Sequence, residues 1–295
     1  MRWIALSTAQ KPKIVEPKPF IKWAGGKTQL LPQLERLFPE RFDGFREPFV
    51  GSAAVFFHLY NMKQRGELKA SMKRVSLTDS NEELMNCYRA VRDGVESVIA
   101  WLAEHKQNHS PKYYYLVRAQ NPRNMGDVER AARLIYLNKT CYNGLYRVNS
   151  KGQFNVPMGR YKNPGIFDAD ELRAASRALD GVTIEAVDFR DVLKHARKGD
   201  FIYFDPPYYP LSKTASFAQF TEQSFGKFEH ESLALLFKAL DEKGCKLMLT
   251  NSWTEFTYGL YRGFRRIEVK GSRRINSAAA KRGKISDMVV LSKYI

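Results

Sequence analysis

Asp205-Pro206-Pro207-Tyr208 follows the apolar run Phe201-Ile202-Tyr203-Phe204, so a carboxylate stands in a loop just past a buried strand. Two consecutive prolines fix φ and remove two backbone donors. The loop is therefore stiff and offers a carboxylate, carbonyl oxygens and an aromatic face. That set suits transfer to an exocyclic amino group conjugated with a base ring, a poor nucleophile because its lone pair is delocalised. Acceptors for its two N–H bonds favour the tetrahedral, nucleophilic form, while Tyr208 stacks on the ring. The plainer alternative is a structural loop in which Asp205 caps the next turn; the strand before it and the adjacent tyrosines favour chemistry.

Three further segments carry residue types that bind small ligands. Phe20-Ile21-Lys22-Trp23-Ala24-Gly25-Gly26-Lys27-Thr28 ends like a phosphate loop, but the first glycine of that motif would fall at Ile21. ATP binding fails on spacing. What remains is a tight glycine turn with two lysines and a tryptophan, suited to a ligand with a carboxylate and an aromatic ring, or equally to an ordinary surface turn. Glu47-Pro48-Phe49-Val50-Gly51-Ser52-Ala53-Ala54 puts Gly51 just after a strand. Thr78-Asp79-Ser80-Asn81 ends another strand on an acidic residue, where open α/β sheets often bind ribose hydroxyls. On local grounds Asp79 or Ser80 serves as well as a plain helix cap.

The elements that must position these loops are short runs bounded by turn residues. Strands are expected at Arg46–Val50, Arg74–Thr78, Val182–Val187, Phe201–Phe204, Lys246–Thr250, Phe264–Lys270 and Met288–Ser292. Several are nearly all apolar, as strands covered on both faces are. Leu84, Tyr88, Val91, Val95, Val98 and Leu102 recur at helical spacing after Ser80-Asn81-Glu82-Glu83, a capping-box spacing, and Ser232–Leu240 reads as another helix. The alternation predicts an α/β fold with an open, largely parallel sheet and a ligand site at the carboxyl ends of its strands. From about Asn86 to Phe167 the alternation lapses into helical patterns and a polar, Gly- and Asn-rich stretch. An inserted, mostly helical unit is expected there. The first eighteen residues, with Pro12 and Pro17, read as a loose arm.

The 295 residues include 48 Lys or Arg against 31 Asp or Glu, a formal charge of +17. The excess is local. Pro111–Asn163 carries ten basic and two acidic residues, and Arg262–Lys284 nine and one. Two basic segments interleaved with Tyr, Phe, Asn and Gln suit a polyanion, so nucleic acid is the favoured partner. No stretch approaches the roughly 18 to 20 apolar residues that cross a bilayer, and no signal-peptide pattern opens the chain. Cys87, Cys141 and Cys245 have neither disulfide nor metal-site spacing. A soluble intracellular protein is expected, cytoplasmic and associated with the nucleoid.

Together the motifs resemble those of the Dam-type (α-group) DNA N6-adenine methyltransferases. The resemblance runs from about Pro19 to Leu291, through the segments at 20–27, 47–52 and 205–208. It includes Lys139-Thr140-Cys141-Tyr142-Asn143-Gly144-Leu145-Tyr146-Arg147 and Phe154-Asn155-Val156-Pro157-Met158-Gly159-Arg160-Tyr161. One departure is Ala53, where the family often has a second glycine. The resemblance implies a Rossmann-like methyltransferase sheet with a mostly helical DNA-recognition insert. On that division residues 1–18 are an arm, 19–85 and 168–295 the catalytic domain, and 86–167 the insert. The implied donor is S-adenosylmethionine, leaving S-adenosylhomocysteine; its sulfonium already activates the methyl group, so no metal is needed.

Trp23, Lys27, Gly51, Asp79, Asp188, Phe189 and Asp205 would then hold the cofactor. Asp205, Pro206 and Tyr208 would act on an adenine flipped from double-stranded DNA. Tyr142 and Asn143 would enter the duplex near the displaced base. Leu145, Arg147 and Pro157 would read the outer bases of GATC, and Lys22 the first guanine. Arg147 also fits guanine on physical grounds, because its fork matches O6 and N7; phosphate binding is the plainer role for Arg147, Lys151 and Arg160. Methylation of RNA adenine or of cytosine N4, or a catalytically silent DNA-binding module, are the rivals.

Overall fold

The computed structural model describes residues 15–211, 225–270 and 286–295. Among these, strands β1 (Gly44–Glu47), β2 (Arg74–Asp79), β3 (Thr183–Ala186), β4 (Phe201–Phe204), β5 (Lys246–Ser252), β6 (Arg265–Lys270) and β7 (Ser286–Leu291) form one sheet. Its order is β3-β2-β1-β4-β5-β7-β6. The first five are parallel, with Phe45 of β1 opposite Val75 on one side and Phe201 on the other. β7 runs antiparallel to both β5 and β6. The chain thus builds outward from β1 to β3, then returns to place β4 on the other side of β1. The reversal opens a crevice between the carboxyl ends of β1 and β4, where open α/β sheets bind ligands.

All seven expected strands form, with ends shifted for local reasons. β1 stops at Glu47 because Pro48 has no N–H to continue the ladder. Each residue of β4 is buried, and alternation divides it between two cores. Phe201 and Tyr203 join Phe45, Leu77 and the helices on one face. Ile202 and Phe204 pack with Leu247, Leu249, Leu233 and Phe237 on the other.

Helix α1 (Leu31–Leu34) lies ahead of β1, and α2 (Ala54–Gln64) follows it. α3 (Glu82–Gln107) buries Leu84, Tyr88, Val91, Val98 and Leu102, as the spacing predicts. Its cap is Asn81, whose side chain accepts the Leu84 N–H at 3.1 Å, rather than Ser80. Gly94 leaves helical geometry and kinks it. α4 (Pro111–Ala119) and α5 (Asp127–Thr140) follow, with α5 packed along α3. Their Tyr114, Val117, Ala131 and Ile135 belong to the same buried cluster as β4 and α2. A loop region closed by bridges Cys141–Met158 and Val148–Phe154 leads to α6 (Ala169–Leu179). The short α7 (Val192–His195) precedes β4, α8 (Lys227–Glu242) precedes β5, and α9 (Glu255–Leu260) precedes β6.

Of the expected arm, residues 1–14 lie outside the described residues. Glu16–Lys18 are tied down instead: Glu16 pairs with Arg65 at 2.9 Å, Lys18 with Glu171 at 2.6 Å, and the Pro17 carbonyl accepts from Asn61. Of the second basic segment, residues 271–284 also fall outside the described residues.

Candidate active site

β4 delivers Asp205 to the mouth of the crevice. Its Oδ2 accepts from Lys27 Nζ at 2.6 Å and its Oδ1 from Thr250 Oγ1 at 2.8 Å. Asp205 therefore caps no turn; it is held between the glycine turn before α1 and the end of β5. The Lys27 ammonium also donates to the Gly25 carbonyl at 2.6 Å and lies 4.6 Å from the centre of the Tyr208 ring. Tyr208 in turn donates its hydroxyl to Asp287 of β7 at 3.3 Å.

The glycine turn and the loop after β1 interlock. Gly25 takes φ +81°, and Gly26 N–H closes on the Trp23 carbonyl at 3.1 Å. Gly51 takes φ +46°, and a Cβ there would stand 2.9 Å from Trp23 Cδ1, so only glycine lets the indole approach. Asp79 closes the set, with Oδ1 accepting from Asn81 N–H at 3.0 Å and Oδ2 facing Gly51 N–H at 3.5 Å. Trp23, Lys27, Gly51, Asp79, Asp205 and Tyr208 are thus linked by contacts into one site. Ala53, just beyond, holds φ +54° while fully buried, a left-handed backbone that explains why glycine suits this position.

At the end of β3, Phe189 is buried and stacks on Phe49, ring centres 5.2 Å apart. Asp188 instead faces outward; it caps the turn through Arg190 N–H and pairs with the Arg190 guanidinium, which lies over the Phe189 ring.

Electrostatics divide the buried carboxyls. Burial pushes Asp205 above the usual aspartate range, and Lys27 opposes that shift. Burial pushes Glu47 well above its usual range, and the neighbouring charge of Asp205 adds to it. Glu47 Oε2 accepts from Phe56 N–H at 3.3 Å, serving the start of α2 that Ala53 has no side chain to cap. Asp79 is also raised by burial, against the pull of its N–H donors.

The loop after α5 presents the remaining expected residues outward. Tyr142, Asn143, Leu145, Arg147, Pro157 and Arg160 are exposed, Tyr142 at 52%. Tyr142 N–H donates to the Pro157 carbonyl at 2.9 Å, and Asn143 takes φ +55°. Arg147 Nε donates to Asn155 Oδ1 at 2.7 Å, which aims the guanidinium while leaving its terminal nitrogens for other partners. Lys22 reaches over the Tyr161 ring, 5.0 Å from its centre. Tyr146 stacks on Trp23 at 5.2 Å, joining this loop to the site.

A family model, the D12 class of N6 adenine-specific DNA methyltransferases, matches residues 23–275. The chain belongs to this family. It is 41% identical over 291 residues to the type II methyltransferase M1.LlaDCHI of Lactococcus lactis subsp. cremoris, covering 97% of this chain and 98% of that one. It is 43% identical over 284 residues to the type II methyltransferase M.MjaIII of Methanocaldococcus jannaschii, covering 91% and 96%. With the DNA adenine methylase of Haemophilus influenzae it shares 34% over 287 residues, 95% of each chain. As a D12-class methyltransferase, the protein is an enzyme that acts on DNA.

Sequence reasoning missed what steadies the proline loop. Thr250, Asn251 and Ser252 end β5, all fully buried. Thr250 holds Asp205, while Asn251 Oδ1 accepts from Tyr209 N–H at 3.1 Å and Ser252 Oγ donates to the Tyr209 carbonyl at 2.6 Å. One strand end thus grips the proline loop at both its ends. The available signal was three consecutive polar residues directly after Leu247-Met248-Leu249, in a strand otherwise buried.

Proposed function

We propose that the protein transfers a methyl group from S-adenosylmethionine to N6 of adenine in double-stranded DNA, within GATC. The observation that carries the reading is the Lys27–Asp205 pair, 2.6 Å apart, at the mouth of the β1/β4 crevice beside the Tyr208 ring. An ammonium and a carboxylate side by side complement the zwitterionic end of an amino acid. Asp205 suits the amino group, and Lys27, with two acceptors among the described residues, keeps a third hydrogen for a carboxylate. Gly51 keeps the backbone open beside Trp23, and Asp79 stands at the end of β2, where a carboxylate suits ribose hydroxyls. Phe189 offers an aromatic edge to an adenine ring, with Asp188 beside it. These residues fit the cofactor, which supplies an activated methyl group when bound.

Asp205 and the Pro206 carbonyl accept the two N–H bonds of the target amine. A carboxylate has about four lone-pair directions, so Lys27 and Thr250 leave room for such a bond. Tyr208 stacks on the flipped base, and the stiff loop, gripped by Asn251 and Ser252, keeps the acceptors aligned without reorganisation. Residues 86–167 form the recognition insert, with 19–85 and 168–295 as the catalytic part. Tyr142 and Asn143 fill the opened duplex, Leu145, Arg147, Pro157 and Lys22 read bases, and Arg160 grips phosphate.

The test is transfer of labelled methyl from S-adenosylmethionine to a GATC duplex. Asp205→Ala lowers turnover by on the order of 10² to 10³, the typical cost of one positioned hydrogen-bonding group, with the fold retained. Near-normal turnover in that variant would overturn the mechanism.

A further inference from the structure

Asn138, in the last turn of α5, is fully buried and divides its amide between two segments with different proposed tasks. Lys22 N–H donates to Asn138 Oδ1 at 2.8 Å, and Asn138 Nδ2 donates to the Lys22 carbonyl at 2.7 Å. The same Nδ2 donates to the Gly144 carbonyl at 3.0 Å, a buried bond. Both hydrogens of Nδ2 are therefore used, and the donor on one side and two acceptors on the other fix which amide atom is which. By taking both the N–H and the C=O of Lys22, the side chain pairs with it as an antiparallel strand would.

Two further contacts tie the same segments. A Cβ on Gly144, which sits at φ +64°, would come within 2.5 Å of Lys22 Cδ and 2.9 Å of Lys22 Cβ. One residue after Lys22 and two after Gly144, Trp23 and Tyr146 stack with their planes 25° apart. The turn that carries Trp23 and Lys27 and the loop that carries Tyr142, Asn143 and Arg147 thus share one buried amide and one ring stack.

We propose that Asn138 is a positioning residue that couples the recognition loop to the cofactor turn, so that duplex binding and cofactor binding strengthen each other. This rests on the function proposed above. A duplex that draws on Tyr142–Leu145 acts on the Gly144 carbonyl. The amide cannot follow that carbonyl without weakening its bonds to Lys22, because it has no spare hydrogen. Ordering either segment therefore orders the other, and the second ligand meets a site already set. Linkage makes the effect reciprocal.

The measurement is the affinity for S-adenosylhomocysteine, by calorimetry, with and without a GATC duplex, in wild-type protein and Asn138→Ala. The duplex tightens binding about fivefold or more in the wild type, and by less than about twofold in the variant. A merely structural role would weaken both affinities and leave their ratio alone. An unchanged ratio in a folded Asn138→Ala that still transfers methyl overturns the coupling and leaves the function standing. Wild-type protein that neither binds the duplex nor transfers methyl overturns both. Should Asn138→Ala not fold, amide exchange in the wild type decides: S-adenosylhomocysteine slows exchange at Gly144 and Leu145 if the coupling exists, and unchanged exchange there overturns it.

Discussion

Asp205 and Glu47 share one buried neighbourhood, in which Lys27 pairs directly with Asp205. Burial and the neighbouring Asp205 charge both raise the Glu47 carboxyl, while Lys27 opposes the rise at Asp205. A carboxyl whose pKa rises on folding binds a proton more readily folded than unfolded. Its contribution to stability is full below the unfolded value of about 4.3 and is lost as pH rises through the folded value. Glu47→Gln keeps the acceptor for Phe56 N–H and removes the titration. It should melt higher than wild type near pH 8, with the gap closing toward pH 4; equal melting at both would show that burial does not raise the Glu47 carboxyl. Asp205 was legible in the sequence because strand, carboxylate, prolines and tyrosines are neighbours along the chain. Thr250 and Glu47 were not given roles, because what defines them is contact across strands and into a helix start, which no local pattern reports.

At the scale of elements, the loops carry the candidate site residues and the strand ends fix them. The strand positions were readable from apolar runs, and the boundaries moved where a single residue decided them, as Pro48 does for β1 and Asn81 for α3. The kink at Gly94 followed from no periodicity, since the apolar spacing continues through it. In the loop after α5, Asn155 orients Arg147 at 2.7 Å, whereas Lys151 is exposed beyond the Val148–Phe154 bridge. An oriented guanidinium suits base reading, and an exposed lysine suits phosphate. Arg147→Ala should cost about 1 to 3 kcal/mol at one base position and relax the choice there. Lys151→Ala should weaken all sequences alike and lower the salt slope by about one. Methylation of GATC and its single-base variants across a salt series separates the two. Equal loss on every sequence for Arg147→Ala would make it a phosphate anchor and move base reading to Lys22, Leu145 and Pro157.

On the scale of the whole molecule, alternation of strand and helix was enough to foresee an open, largely parallel sheet, but not its order. Placing β4 beside β1, and β7 between β5 and β6, depends on pairing between segments far apart in the chain. That order matters because it brings Asp205 opposite the glycine turns and sets Thr250 beside it. The basic stretch at 111–163 was equally plain in the sequence, while the way α4 and α5 share a core with the sheet was not. The activity proposed for this arrangement is methylation of adenine N6 within GATC. The most direct measurement is base-resolved mapping of modified nucleotides in DNA from a methylation-deficient host expressing the chain, beside the same host expressing Asp205→Ala. N6-methyladenine at GATC with the wild type, and at a far smaller fraction of those sites with Asp205→Ala, is the predicted result. Modification confined to cytosine, or adenine methylation at the wild-type level in Asp205→Ala, would contradict it.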